Sequence, residues 1–260
     1  VGAFIFYNLT SEEVGLAIAP AMAIALAFGG LSGAFIHWVV MRRMATAPAL
    51  IRLIGTLAVL GGLVALSQHL FGGDARIVAK LLPVSGVEVL PGISIGVDRL
   101  ILLGVGAGLT LILALVFRYT SFGLATTAVA ENRRAAAAQG ISPDLVASVI
   151  LLLRSVLAVL SAILIVNLTG LQVTGLTLLV IPALAAALVG GFRSFTLTLL
   201  GGLLIGVLEA EVAYLGIRFP SLEIGSWSRS VPFLVIIAVL VISGRGLPLR
   251  DEPLERPWQL

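Results

Sequence analysis

The sequence predicts an all-α integral membrane protein: a polytopic transmembrane helix bundle with a small external β-hairpin. Three observations carry this. Hydrophobic residues make up 59% of the 260-residue chain and charged residues only 11%. Mean hydropathy is +1.15. The apolar residues gather into runs close to the length that crosses a bilayer, about 20 residues, and Arg residues gather between the runs. A water-soluble domain carries about 25% charged residues, so this chain could not wet its surface. Lipid as solvent lets most of that surface stay apolar.

Residues Val1–Leu9 read as the end of a cut helix, too short for a signal peptide and without its basic start. Seven apolar segments then qualify as spans or come close: Val14–Met41, Leu50–Phe71, Leu100–Phe117, Leu145–Leu168, Leu171–Val189, Thr196–Leu215 and Val231–Ile242. The last is short, and Pro232 and Ser243-Gly244 at its ends allow a slight extension. The loop Gly72–Asp98 is long. Within it, Val87–Leu90 and Ile93–Val97 read as two strands around a Pro91-Gly92 turn. Residues 1–248 form a single transmembrane domain in this reading, and 249–260 a polar cytoplasmic tail or linker.

The Arg bias of the loops orients the bundle. Arg42, Arg43, Arg118, Arg133, Arg134, Arg193, Arg245, Arg250 and Arg256 all fall on one face when seven spans are threaded, and that face is read as cytoplasmic. The opposite loops dilute their basic residues with Asp74, Glu88, Asp98 and Glu223. Three small-xxx-small faces, Gly29/Gly33, Gly104/Gly108 and Gly202/Gly206, suit close helix packing in lipid.

Several chemistries are excluded or unsupported. The chain has no Cys, hence no disulfide, thiolate metal site or Cys nucleophile. His37 and His69 stand alone near helix ends and read as interfacial or packing residues, since a metal site needs three or four ligands. No metal and no cofactor is expected. The net charge of +3 invites a nucleic-acid reading, but the basic residues are scattered and form no stripe. Lys80 is the one Lys and follows Ala79, so there is no Walker A lysine and no ATP hydrolysis by this chain itself. Zinc-protease and nucleophile-elbow motifs are absent too, and no catalytic residue is assigned.

Two places remain for function. Arg154 and Glu209 are ionisable groups within apolar runs, about 15 and 20 Å along their helices at 1.5 Å per residue. They read as an intramembrane pair or as pathway groups. The second place is the Ala-rich segment Ala125–Ile141. Ala favours helix, Gly140 is a natural stop, and Ser142-Pro143-Asp144 opens the next span. A short helix, Glu131–Gly140, is therefore expected on the inner face, with charges at Glu131, Arg133 and Arg134. It is either a connector lying on headgroups or a docking element.

The order Thr120-Ser-Phe-Gly-Leu124, Glu131-Asn-Arg-Arg-Ala-Ala136, Gly140-Ile141 resembles the cytoplasmic loop of the branched-chain amino acid ABC transporter permease family, the Liv-type membrane subunit. Val189-Gly-Gly-Phe-Arg-Ser194, followed by Leu200-Gly-Gly-Leu-Leu-Ile-Gly-Val-Leu-Glu209, resembles that family's second signature. Gly2-Ala3-Phe4 resembles the end of an early helix, so the likeness covers nearly the whole chain. The resemblance implies an ATPase-coupling role for Glu131, Arg133, Arg134, Ala135, Ala136 and Gly140. It implies ATP-binding cassette subunits, a second permease subunit or domain and an extracytoplasmic solute-binding protein as partners, in a bacterial-type plasma (inner) membrane. It implies import of branched-chain amino acids or similar small solutes. A secondary transporter or channel is the competing class, and an assembly protein without transport a third. No convincing internal repeat supports the second.

The topology is checked by single cysteines at Ala137 and Ser85 in intact cells. An impermeant thiol reagent should label position 85 and spare position 137; the opposite pattern overturns the orientation.

Overall fold

The computed structural model describes residues 1–11, 14–44, 47–74, 76, 83, 85–90, 93–219 and 224–243. Pro91-Gly92 and the tail 249–260 lie outside them. The described chain is mostly helix, because a backbone in hydrocarbon must satisfy every N–H and C=O within its own segment. Among the described residues, six helices are long and apolar enough to cross a membrane. In order the helices are α1 (Gly2–Thr10), α2 (Ile18–Ile36), α3 (Ala49–Phe71), α4 (Val97–Tyr119), α5 (Ser121–Glu131), α6 (Arg133–Ala138), α7 (Pro143–Thr169), α8 (Val173–Leu178), α9 (Val180–Val189), α10 (Phe195–Arg218) and α11 (Val231–Ser243). A π-helical turn, His37–Met41, prolongs α2, and a 3₁₀ turn, Ile224–Ser230, leads into α11.

The expected hairpin is present. Strand β1 (Gly86–Leu90) pairs antiparallel with β2 (Ile93–Gly96), Val87 opposite Ile95 and Glu88 opposite Ser94, with an irregularity between Glu88 and Leu90. The expected fifth span differs. Its residues form two short helices, α8 and α9, that meet at Leu179. Pro182 explains the break: it has no N–H to donate to the Leu178 carbonyl one turn back. The last span gains its length at the front, where the 3₁₀ turn extends it to Gly225–Ile242.

The chain falls into two compact units, Val1–Leu179 and Val180–Leu260. In the first, α2 lies along α7. Gly29, Gly30 and Gly33 bring the two backbones together: a Cβ on Gly29 would stand 2.6 Å from a Val159 methyl and 3.3 Å from the Ser155 carbonyl oxygen. On Gly33 it would overlap the Ser155 side chain and stand 3.1 Å from the Leu151 carbonyl oxygen. Helix α1 adds Phe4 and Phe6 to a core shared with Ala21, Ala25, Ile163 and Val166. Phe4 stacks on Phe71, with ring centroids 4.7 Å apart. Arg76 ties this end together. Its backbone pairs with Leu171 in both directions (2.9 and 3.0 Å), and its guanidinium donates to the Phe71 carbonyl at 2.8 Å.

In the second unit a core of Ala185, Ala186 and Ile205 packs with Val235 and Ile236. Gly201 is buried against α9, where a Cβ would stand 2.8 Å from Val189 Cβ and 3.1 Å from the Ala186 carbonyl oxygen. Its neighbour Gly202 is looser, with the nearest atom at 3.7 Å. Among the described residues, nothing stands beside Gly104, Gly108 or Gly206.

The contrast between glycines is testable. Gly33→Leu should destabilise the purified protein by about 1–3 kcal/mol, the usual cost of overpacking, whereas Gly104→Leu should change it little. Thermal unfolding in detergent measures both, and equal losses at the two sites would contradict the α2–α7 seam.

Candidate functional site

The Ala-rich segment is built as a capped corner. Helix α5 starts after Thr120, whose hydroxyl accepts from the Gly123 amide at 3.4 Å. Gly123 is buried against the end of α4, and a Cβ there would overlap the Phe117 backbone. That close approach gives the Ser-Phe-Gly stretch its need for glycine. Phe122 packs edge-on against Phe117, with centroids 5.7 Å apart.

The expected single helix Glu131–Gly140 is instead divided. Glu131 ends α5, and Asn132 is extended at φ −149°, ψ 101°. Its side-chain oxygen accepts from the Arg134 and Ala135 amides, both at 3.0 Å, and so caps α6. Asn is a preferred cap because a short acceptor reaches the orphan amides of the first turn. At the far end Gly140 takes φ +83°. Its amide donates to the Ala137 carbonyl at 3.0 Å, and the Ile141 amide donates to the Ala136 carbonyl at 3.1 Å. This is a Schellman closure, with glycine at the left-handed position.

Ala136 is the buried residue of α6; Arg133, Arg134, Ala135, Ala137 and Ala138 are exposed, as is Glu131 at the end of α5. Arg133 reaches across the corner and donates to the Asp144 carboxylate in the first turn of α7. The half-exposed pair (49% and 58%) adds little stability by itself. Its effect is positional: α6 is held to the start of a membrane span at one end and by the Gly140 turn at the other.

The second signature folds by the same rules. Gly191 (φ 61°) ends α9, and its amide and that of Phe192 close on the Leu188 and Ala187 carbonyls, both at 2.9 Å. Phe192 also stands at φ 55°, a conformation costing a bulky residue about 1–2 kcal/mol. Its side chain is 65% exposed. Ser194 then caps α10, accepting from the Leu197 amide at 3.3 Å.

Arg154 in α7 is exposed and belongs to Val1–Leu179; Glu209 in α10 is half-buried and belongs to Val180–Leu260. Within the first unit lies a cavity of about 630 Å³. Its wall is largely apolar, with the hydroxyls of Ser32, Ser67, Ser155 and Thr177 among the lining groups. Ser32, Ser67 and Thr177 donate to carbonyls of their own helices at 2.8, 2.6 and 2.8 Å.

Sequence reasoning missed Asn132 as a cap, Asp144 as the in-chain partner of Arg133, and Gly201 as the tight glycine of α10. An Asn before an Ala run is a recognisable cap signal. The other two depend on which residues meet across a turn.

Comparison with known proteins agrees with this architecture. A family described as branched-chain amino acid transport system / permease component matches residues 1–240. The high-affinity branched-chain amino acid transport system permease protein LivH of Salmonella typhimurium is 28% identical over 144 residues, 55% of this chain and 44% of the relative. LivH of Escherichia coli K12 matches over the same shares at the same identity. The chain thus spans less than half the length of these relatives. No solved structure matches it.

The two caps predict local protection. Asn132→Ala should speed hydrogen exchange at the Arg134 and Ala135 amides about fivefold, from the loss of about 1 kcal/mol of capping. Gly140→Val should do the same at Ile141, while Gly140→Asn, which tolerates the left-handed region, should do so less. Unchanged exchange in both Asn132→Ala and Gly140→Val would contradict the capped corner.

Proposed function

Because the chain belongs to the branched-chain amino acid transport system permease family, we propose that it is the membrane-spanning permease subunit of an ABC importer. It is a multi-pass membrane protein. In this reading it moves branched-chain amino acids or similar small polar solutes across a bacterial-type inner membrane, using ATP hydrolysed by partner subunits. Two ATP-binding cassette subunits, a second permease subunit or domain and an extracytoplasmic solute-binding protein complete the machine. Residues 1–248 act as one permease domain, with 249–260 as tail or linker.

The observation that carries the proposal is the capped corner. A device that converts movement of an ATPase into helix tilting must be short, stiff and fixed to a span. Helix α6 is closed at both ends by hydrogen bonds and tied through Arg133 to the first turn of α7. Its exposed faces, with Arg134, Ala135 and Ala137, suit a cleft on the ATPase, and Glu131 borders them. Gly29 and Gly33 hold α2 to α7 so that α7 does not tilt alone. Gly104 and Gly108 on α4, and Gly206 on α10 with Gly202 one turn before it, are surfaces for further helices of the assembly; beside Gly104, Gly108 and Gly206 there is open space among the described residues. Arg154 and Glu209 line the route or pair within the bundle, since a lone charge facing lipid at mid-helix costs at least about 2.5–3.5 kcal/mol.

The test is reconstitution of the full protein with its ATPase subunits and binding protein in proteoliposomes. Labelled leucine should accumulate only with ATP and all partners. Ala137→Trp should abolish stimulation of the ATPase by the permease while leaving the protein folded. Arg154→Met and Glu209→Gln should each reduce uptake, and a double variant that recovers marks them as a structural pair. Uptake driven by an ion gradient without the ATPase would overturn the proposal.

A further inference from the structure

A second polar site lies where two spans end. Span Ile18–Met41 finishes, and span Pro143–Thr169 begins, at the same edge of a cavity of about 360 Å³. Its lining includes His37, Trp38, Arg42, Asp144, Leu145 and Ser148. The last turn of α2 is π-helical there, and the Arg42 amide donates to the His37 carbonyl at 2.8 Å. Such turns are uncommon and concentrate at functional sites.

The His37 Nε2 atom is buried and has no hydrogen-bond partner among the described residues. A buried polar atom left unpaired costs about 1–3 kcal/mol, so the His37 ring, which lines this cavity, carries a polar atom in want of a partner. Ser142 gives α7 no side-chain cap. The first-turn amides of Asp144 and Leu145 therefore have no intrahelical acceptor, and they stand at the positive end of a 27-residue helix. Arg42 supplies a full positive charge and is exposed. The acidic group in the wall, Asp144, is engaged by Arg133, and the Ser148 hydroxyl donates to the Asp144 carbonyl at 2.7 Å. The unmatched character of the site is thus donor-rich and positive.

We propose that this cavity binds the phosphodiester headgroup of an anionic phospholipid. Phosphate oxygens accept from the Arg42 guanidinium, from His37 Nε2–H and from the first turn of α7, where anions gather for the reason that helix N-termini bind them. A lipid rather than free phosphate is indicated by what borders the site. Trp38 is 65% exposed and Leu145 63% exposed at the ends of the spans. A Trp at that depth is an interfacial anchor, and the two apolar side chains offer a surface to the glycerol and upper acyl chain. Basic clefts between helix ends are the usual place for such headgroups. The bound lipid would brace the first turn of α7, the turn to which Arg133 ties α6, and so make the corner sensitive to membrane composition.

The test uses the full protein in mixed micelles, titrated with labelled phosphatidylglycerol and, separately, phosphatidylcholine. Arg42→Gln should weaken phosphatidylglycerol binding about fivefold, the weight of one basic residue at an anionic surface. His37→Phe should weaken it by a similar factor, and Arg42→Lys should retain most of it. Arg193→Gln, in another loop, should leave it unchanged and serves as the folded control. Phosphatidylcholine binding should not respond to any of them. Millimolar inorganic phosphate should fail to displace the lipid; displacement would mean a free-anion site and overturn the lipid assignment. Equal phosphatidylglycerol affinity in Arg42→Gln, His37→Phe and the unaltered protein would overturn the site itself.

Discussion

The first unit hangs on the contact between α2 and α7. In lipid no hydrophobic force draws two apolar helices together, because the acyl chains are as apolar as the side chains. What remains is dispersion between closely approaching backbones, and that needs residues without side chains. Gly29, Gly30 and Gly33 supply this, and the carbonyls of Leu151 and Ser155 lie where any Cβ would intrude. Once α7 is seated, other features take their positions from it. Ile163 and Val166 build the core with α1, Ser155 and Val159 wall the larger cavity, and Asp144 receives Arg133.

The second constraint is the satisfaction of backbone groups, and it explains where the helices stop. Each break has a chemical cause close at hand. Pro182 cannot donate to Leu178, and α8 gives way to α9. Asn132 offers its side-chain oxygen to two amides, and α5 gives way to α6. Gly140 and Gly191 take positive φ and turn the chain after closing the last carbonyls. The interruptions at Asn132, Gly140 and Gly191 fall within the segments that the family resemblance singles out. In a chain made almost wholly of membrane helices, the few irregular places are where direction and stiffness can be specified.

The capped corner and the cavity beside His37 and Arg42 meet at the first turn of α7. Asp144 faces both: its carboxylate holds Arg133, and its turn borders the cavity with His37 and Arg42. A movement imposed on α6 reaches α7 through a charged hydrogen bond and a glycine turn, neither of which stretches far. The same turn lies at the end of a candidate membrane span. The proposed coupling corner and the proposed lipid site therefore share a few residues, because one helix terminus carries the Arg133 tether and borders the cavity.

The sequence by itself determined the class of the molecule, the positions of the long spans and the hairpin. Those follow from composition and run length, and the bilayer fixes the length of any apolar helix that crosses it. It also determined the corner in outline, since Gly140, Ser142 and Pro143 are local signals whose meaning needs no distant neighbour. Tertiary structure alone decided which of the glycine faces meets another helix within this chain. Gly29 and Gly33 do, and among the described residues Gly104 and Gly108 have no such neighbour, although the spacing is identical. It alone decided that Arg133 reaches Asp144 and that His37 Nε2 is buried without a hydrogen-bond partner among the described residues. A repeating spacing records that a close approach is allowed; the identity of the neighbour depends on how helices far apart in the chain are set side by side, and no local pattern carries that.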